Sequence, residues 1–123
     1  MDPKECALFR AFWNALLSQN ADEIAERFEV CGTVCLGKRR PAQGRQAVRR
    51  EFVRLFSRTA AIHHRPVSLW ARDGVVVADT DLSLDFDSGR HLEIPVTTVC
   101  WFHGESIARC EISFYPDTAL AAA

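Results

Sequence analysis

The stretch "VVVADTDLSLDFDSGRHLEIPVTTVCWF", residues 75–102, contains two strand-like runs joined by a short polar segment with a glycine. A similar run precedes it, "HRPVSLWA" (64–71), and another follows it, "SIARCEISFY" (106–115). The connecting segments "RDG" and "HGE" also contain glycine. Runs of β-branched and aromatic residues separated by such turns are typical of hairpins. The second half of the chain is therefore predicted to form four strands of an antiparallel sheet.

The first half of the chain has helical periodicity. Residues 6–19 and 45–59 each repeat apolar residues on one face, and the second segment carries five arginines. Between them, Asn20 followed by Glu23 resembles a capping box that starts a short helix. One strand, "VCGTVCL" (30–36), follows that helix. This order predicts an α+β fold, in which three helices of the N-terminal half pack on one face of a curved antiparallel sheet, with a pocket between them.

The length, composition and net charge of the chain exclude several classes of protein. A chain of 123 residues fits one domain, spanning 1–123, and 48% hydrophobic with 25% charged residues is typical of a soluble protein. A net charge of −1 gives no long-range field toward nucleic acid or a membrane surface. The start, "MDPKECALFR", lacks the features of a signal peptide. We therefore expect a cytoplasmic protein with no nucleic-acid and no membrane partner.

The chain has five cysteines. An odd count without a secretion signal favours free thiols over a disulfide framework. Cys31 and Cys35 are spaced like half of a metal site, but no second pair follows at a zinc-like spacing. No metal ion and no organic cofactor is implied.

Residues 75–90 contain four aspartates. Carboxylates are costly to bury, so this strand face looks either at water or into a pocket that uses the acids. Without a family resemblance, the residues favour a strand face that is exposed to water. Asp85 and Asp87 flank the turn "DSGR", where aspartate is common. Asp79 and Asp81 lie about 7 Å apart on one face of a strand. In a pocket, burial and repulsion would raise one of their pKa values, which suits general acid–base chemistry.

Three segments together resemble the SnoaL-like branch of the nuclear transport factor 2-like superfamily. They are "FWNALLSQNADEIAERF", "PAQGRQAVRREF" and "DSGRHLEIPVTTVCWFHGESI". The resemblance covers nearly the whole chain, and the branch includes polyketide cyclases, ketosteroid isomerases and limonene-epoxide hydrolases. It implies a cone of curved sheet around a deep pocket capped by helices. It also implies a homodimer that forms through the outer face of the sheet.

The catalytic sets of the branch carry over only in part. Matched to the epoxide hydrolases, Asp81 takes the place of the first catalytic Asp, whereas Asp79 and Ile112 stand where an Arg and a second Asp are expected. Matched to the ketosteroid isomerases, the base position falls on Cys35 or Leu36. The match implies that Asp79 and Asp81 point into the pocket, with Asp81 as acid or base and Asp79 as its partner. It puts the neighbouring residues on the outer, dimer-forming face: Ala78, Thr80, Leu82 and Leu84.

The remaining expected ligand contacts come from several elements. One of His63 and His64 must face the helices if their strand is regular, which leaves two alternatives. Either Tyr115 or Asp117 stands where the family has an Asp at the end of its last strand. The ligand-binding residues expected are Trp13, Cys35, His64, Thr98, Cys100 and Ile112.

The function expected from these residues and the resemblance is the binding of a small, largely apolar molecule in a deep pocket. Cofactor-independent acid–base chemistry would accompany it: isomerisation, cyclisation, dehydration or epoxide opening. The alternatives are a ligand carrier or sensor without turnover, and a dimeric protein-association module.

Overall fold

The computed structural model describes residues 4–114 and contains three helices and six strands. In chain order they are α1 (Lys4–Leu17), α2 (Ala21–Glu26), β1 (Phe28–Leu36), β2 (Ala42–Gln43), α3 (Arg45–Phe56), β3 (Thr59–Arg72), β4 (Val75–Phe86), β5 (His91–His103) and β6 (Ser106–Phe114). The three helices of the N-terminal half and the four long strands that follow confirm the predicted order. No helix among these residues is long and apolar enough to cross a membrane.

The strands form one curved, open sheet in the order β2-β1-β6-β5-β4-β3. Strands β3 to β6 pair antiparallel with their neighbours in sequence, as predicted. The sheet is nevertheless mixed, because β1 pairs parallel to β6. After β1 the chain passes through α3 to the far edge of the sheet and returns by three hairpins, so its last strand arrives beside β1.

The hairpin between β3 and β4 shows why these turns could be predicted. Asp73 and Gly74 have positive φ angles of 54° and 79°. Consecutive positive φ values give the turn twist that matches paired strands, and Asp-Gly adopts it readily. The "RDG" segment thus sets which residues of the two strands face each other, from Arg72 opposite Val75 onward.

Helix α2 begins at the predicted cap. The Asn20 side chain accepts a hydrogen bond from the backbone N–H of Glu23 at 3.1 Å. Its amide nitrogen donates to the Glu23 carboxylate at 3.5 Å. The pair satisfies one of the free N–H groups at the start of a helix too short to be stable alone.

An aromatic cluster joins the helices to the sheet. Phe12 of α1, Phe28 of β1 and Phe52 of α3 are fully buried. The ring centroid of Phe12 lies 6.2 Å from that of Phe28 and 6.4 Å from that of Phe52, both edge-on. Edge-on pairs add to the burial of apolar area. We call the side of the sheet that packs on the helices its inner face and the opposite side its outer face.

Candidate functional site

The facing of β4 differs from the sequence prediction. Asp79 is exposed, and the residues on either side of it are buried. Because side chains alternate along a strand, a match shifted by one residue sends every side chain to the wrong face. The apolar row packs against the helices and the carboxylates stay in water, as the cost of burying charge requires. The inner row is Val76, Ala78, Thr80, Leu82, Leu84 and Phe86.

Asp79 and Asp81 therefore lie on the outer face rather than in the space between the helices and the sheet. The Thr97 hydroxyl donates to Asp79 at 2.7 Å, and the Ser68 hydroxyl donates to it at 3.1 Å. Asp81 pairs with Arg65, and the two side chains are 40% and 80% exposed. A pair so exposed stabilises a fold by about 1 kcal/mol at most. The catalytic role predicted for the two acids rested on an inward facing, which the structure does not have.

Cys35 also faces outward, which corrects its predicted role as a ligand contact. Its thiol accepts a hydrogen bond from the guanidinium of Arg109 at 3.3 Å. Its neighbours Val34 and Leu36 are the buried residues of β1. The same alternation that turns the two aspartates outward thus turns this cysteine away from the helices.

Thr98, Cys100 and Ile112 face inward, as predicted. Thr98 and Cys100 are fully buried, and the Cys100 sulfur lies 3.5 Å from that of Cys110. Burial raises the pKa of the Cys110 thiol, which keeps it protonated and unreactive. The hydroxyl oxygen of Thr98 has no hydrogen-bond partner among residues 4–114.

The space between the helices and the inner face is a small cavity of about 30 Å³. That volume has room for one or two water molecules, so the predicted deep pocket is nearly filled. No charged side chain contributes to its wall. The lining residues are Trp13, Leu16, Leu36, Leu55, Ile62, Leu82, Leu84, Ile94, Val96, Ile112 and Phe114.

A second space, which we call the recess, opens between α1 and strands β3 and β4. Its volume is about 210 Å³. Trp13 lines both the recess and the inner cavity, and the two share no other lining residue. The indole therefore stands between them. The recess is lined by Phe9, Arg10, Trp13, Asn14, His64, Pro66, Ser68, Leu69, Ala78 and Thr80.

Trp13 and His64 meet at this boundary. The indole N–H of Trp13 donates to Nδ1 of His64 at 3.0 Å. Because an indole nitrogen can only donate, Nδ1 carries no proton and the neutral ring holds its proton on Nε2. Partial burial lowers the pKa of His64. Of the two histidines considered from sequence, His64 is thus the one that faces the helices.

Several inward residues were missed by sequence reasoning. Thr80, Leu82 and Leu84 were assigned to the outer face, yet their alternation with polar residues was the signal that could have placed them correctly. Tyr115 and Asp117 lie outside the described residues. Across residues 4–114, no three His, Cys, Asp or Glu side chains cluster closely enough to hold a metal ion.

Of the comparisons with known proteins, the one with solved structures shows the fold of this chain. No family model matches the sequence. No curated protein matches it either. Among solved structures, a SnoaL-like protein from Jannaschia sp. CCS1 superposes with a TM-score of 0.80 at 12% identity, over 100% of this chain and 97% of that one. This chain has the SnoaL-like fold.

Two further structures with the SnoaL-like fold carry information about ligands or chemistry. A protein from Catenulispora acidiphila with a ketosteroid isomerase-like fold, solved in complex with trimethylamine, has a TM-score of 0.79 at 15% identity. The match spans 91% of this chain and 85% of that one. SalBIII, an epoxide hydrolase/cyclase-like enzyme of pyran ring formation in salinomycin, has a TM-score of 0.80 at 16% identity over 92% of both chains. At such identities the likeness establishes the fold alone.

In this SnoaL-like fold the inner face offers apolar contact and one neutral hydrogen-bonding pair. The Trp13 indole is a donor, and His64 is both an acceptor through Nδ1 and a donor through Nε2. Further polar or charged residues line the recess, among them Thr80, Asn14 and Arg10. Such a lining suits hydrocarbon with one small polar group.

Proposed function

We propose that this chain binds a small, largely apolar molecule between α1 and the inner face of the sheet. The observation that carries the proposal is the wholly apolar wall of the inner cavity, which Trp13 separates from the recess. Removing apolar surface from water is the main source of favourable free energy in such sites. The trimethylamine bound in the Catenulispora protein supports small-molecule binding in this fold.

Filling the recess tests this function. Ala78 lies on its wall and is 3% exposed, so Ala78→Leu adds apolar bulk where the ligand would sit. Ser83→Leu adds a comparable bulk on the outer face of the same strand and is the matched control. The probes are p-menthane, menthone and menthol, three molecules with one carbon skeleton.

The readout is the thermal midpoint with and without each probe. A ligand at a hundredfold excess over its Kd stabilises the folded state by about 2.7 kcal/mol, which is a shift of several degrees. We expect the shift in the unmodified protein and in Ser83→Leu, and its loss in Ala78→Leu. Equal shifts in Ala78→Leu and Ser83→Leu would place binding elsewhere, and no shift with any probe would contradict the function.

A second candidate function is proton transfer on the bound molecule, in an isomerisation, cyclisation, dehydration or epoxide opening. His64 favours it, because partial burial lowers its pKa and keeps a basic neutral imidazole available near neutral pH. Once the indole moves aside, Nδ1 could accept a proton. The activity of SalBIII in pyran ring formation supports this candidate by fold alone.

Two substitutions separate the enzyme from a carrier or sensor. In an enzyme, His64→Gln should abolish turnover while the thermal midpoint changes little. Asp81→Asn should leave turnover intact, because that carboxylate lies on the outer face beside Arg65. A carrier would bind the probes and turn over none of them.

We also propose that the outer face of the sheet forms a homodimer. Trp70, Val77 and Val99 pair in one row across three strands, and Val75 and Trp101 pair in the adjoining row. Trp70 is 54% exposed. The other four side chains are partly exposed, and a contiguous apolar patch at the surface marks an interaction site. We call these five residues the outer patch; they replace the row from Ala78 to Leu84 that the sequence assigned to the dimer.

A further inference from the structure

We propose that the ligand of this site is an apolar alcohol, whose hydroxyl group inserts between the indole N–H of Trp13 and the imidazole of His64. The inference rests on the proposed function, since it names the chemical class that the apolar site selects.

Trp13 stands between two spaces of different size. The cavity behind it has about 30 Å³ and the recess in front of it about 210 Å³. A site for a drug-sized molecule has about 300–1,000 Å³. The recess alone can hold a body the size of one ring, whereas the inner cavity cannot, and the indole divides the two spaces. A ligand that reaches the apolar wall therefore has to displace the indole from its place beside His64.

The displacement leaves two polar atoms without a partner. Trp13 is 4% exposed, and its N–H has His64 as its acceptor at 3.0 Å. Because a buried donor without an acceptor is unfavourable, the indole needs a replacement acceptor. Nδ1 of His64 loses its donor in the same movement. A ligand that supplies both an acceptor and a donor at one atom restores both bonds.

A hydroxyl group meets this requirement with one oxygen. A ketone or ether oxygen supplies only the acceptor and leaves Nδ1 of His64 unpaired. A hydrocarbon supplies neither. The Ser68 hydroxyl does not take over the pairing, since it already donates to Asp79 on the outer face.

The test compares menthol, menthone and p-menthane, which share a skeleton and differ in the polar group. For the unmodified protein we expect menthol to bind about tenfold more tightly than p-menthane, the factor that corresponds to one or two satisfied hydrogen bonds. Menthone should lie between them, because it restores only the indole bond. Dissociation constants are measured by isothermal titration or by tryptophan fluorescence.

Two variants separate the contributions of the two hydrogen bonds, one to Trp13 and one to His64, to the affinity of each probe. Trp13→Phe removes the donor, so menthone and p-menthane should then bind equally while menthol keeps an advantage through His64. His64→Leu removes the acceptor, so menthol and menthone should then bind equally and both more tightly than p-menthane. Asp81→Asn, on the outer face, should leave all three ratios unchanged.

The outcomes separate the inference from the proposed function. Equal affinities of the three probes for the unmodified protein would overturn the alcohol assignment and leave an apolar site standing. No binding of any probe would overturn both. Circular dichroism confirms that each variant is folded; should Trp13→Phe not fold, the ratios in the unmodified protein and in His64→Leu decide.

Discussion

At the scale of single residues, polar atoms on the inner face of the sheet fall into two kinds. Nδ1 of His64 has a partner in the Trp13 indole, and that bond joins α1 to β3. The hydroxyl of Thr98 has none in the described part of the chain, although its residue is fully buried. The bond of His64 to Trp13 holds the recess in one arrangement. The unpaired hydroxyl of Thr98 weakens the core around it.

The unpaired hydroxyl of Thr98 makes a stabilising substitution available. Thr98→Val keeps the shape of the side chain and removes the buried oxygen, so the cost of leaving it unpaired is removed. We expect the free energy of unfolding to rise by about 1 kcal/mol. Chemical denaturation measures it, and a fall of that size would show that the hydroxyl has a partner that stabilises the fold.

The lowered pKa of His64 predicts a pH dependence of stability. The unfolded ring takes up a proton near its usual pKa of about 6.5, above the pKa of the folded ring, so protonation favours unfolding as the pH falls. The stability that His64 contributes is therefore present above that pH and is lost below it.

The comparison with His64→Gln isolates this effect. Between about pH 7.5 and pH 5, the free energy of unfolding should fall more steeply in the unmodified protein than in the variant. The pKa of His91 is raised by its bond to Asp85, which acts in the opposite direction, but both proteins share it. Parallel pH profiles would contradict the partial burial of the His64 ring beside Trp13.

The residue scale is also where prediction from sequence succeeded and failed within one strand. Asp79 and Asp81 were assigned inward by resemblance, although burying two carboxylates beside Ala78 and Leu82 would oppose the ordinary partition of charge and apolar surface. Trp13, Thr98 and Ile112 were placed correctly. The bond between Trp13 and His64 could not be foreseen, because 51 residues separate them and only the packing of α1 on β3 brings them together.

At the scale of elements, local chemistry decides what sequence can predict. Turns with Asp73 and Gly74 and the cap at Asn20 are encoded by neighbouring residues, and both form as expected. The parallel pairing of β1 with β6 is not local: Val34 lies opposite Cys110, far along the chain. Hydrophobic periodicity identifies a strand but not the direction of a distant partner.

The cap of α2 gives a prediction at this scale. Asn20→Ala removes the side-chain acceptor of the Glu23 N–H, and losing such a cap costs about 1 kcal/mol. We expect that loss in thermal or chemical unfolding. Asn20→Asp is the matched control, since its carboxylate accepts the same bond and should keep nearly full stability. An unchanged midpoint in Asn20→Ala would mean that packing alone holds the helix.

At the scale of the whole molecule, the two faces of the sheet have separate roles in this account. The inner face and the helices enclose the apolar site, and the outer face carries the outer patch beside the paired acids. The direction in which the side chains of β4 point determines the chemistry of both faces. With the acids outside, the ligand site is uncharged along that strand and the outer face has polar groups that border its apolar ones.

The outer patch predicts self-association. Val99 lies on the outer face opposite Val77, so Val99→Arg places a charge in the middle of the patch. Sedimentation velocity should find a dimer for the unmodified protein and a monomer for Val99→Arg, because a buried unpaired charge opposes association. Glu93→Arg, an exposed position on the same face, is the control and should remain dimeric. A monomeric unmodified protein would contradict the dimer.

The most direct test of the ligand site is a nuclear magnetic resonance titration that follows the indole N–H signals. The chain has three tryptophans: Trp13 beside the cavity, and Trp70 and Trp101 on the outer face. Trp13→Phe assigns the first signal. On titration with menthol we predict that the Trp13 signal shifts and saturates while the other two stay in place. A stationary Trp13 signal, with or without shifts of Trp70 and Trp101, would contradict a ligand site on the inner face.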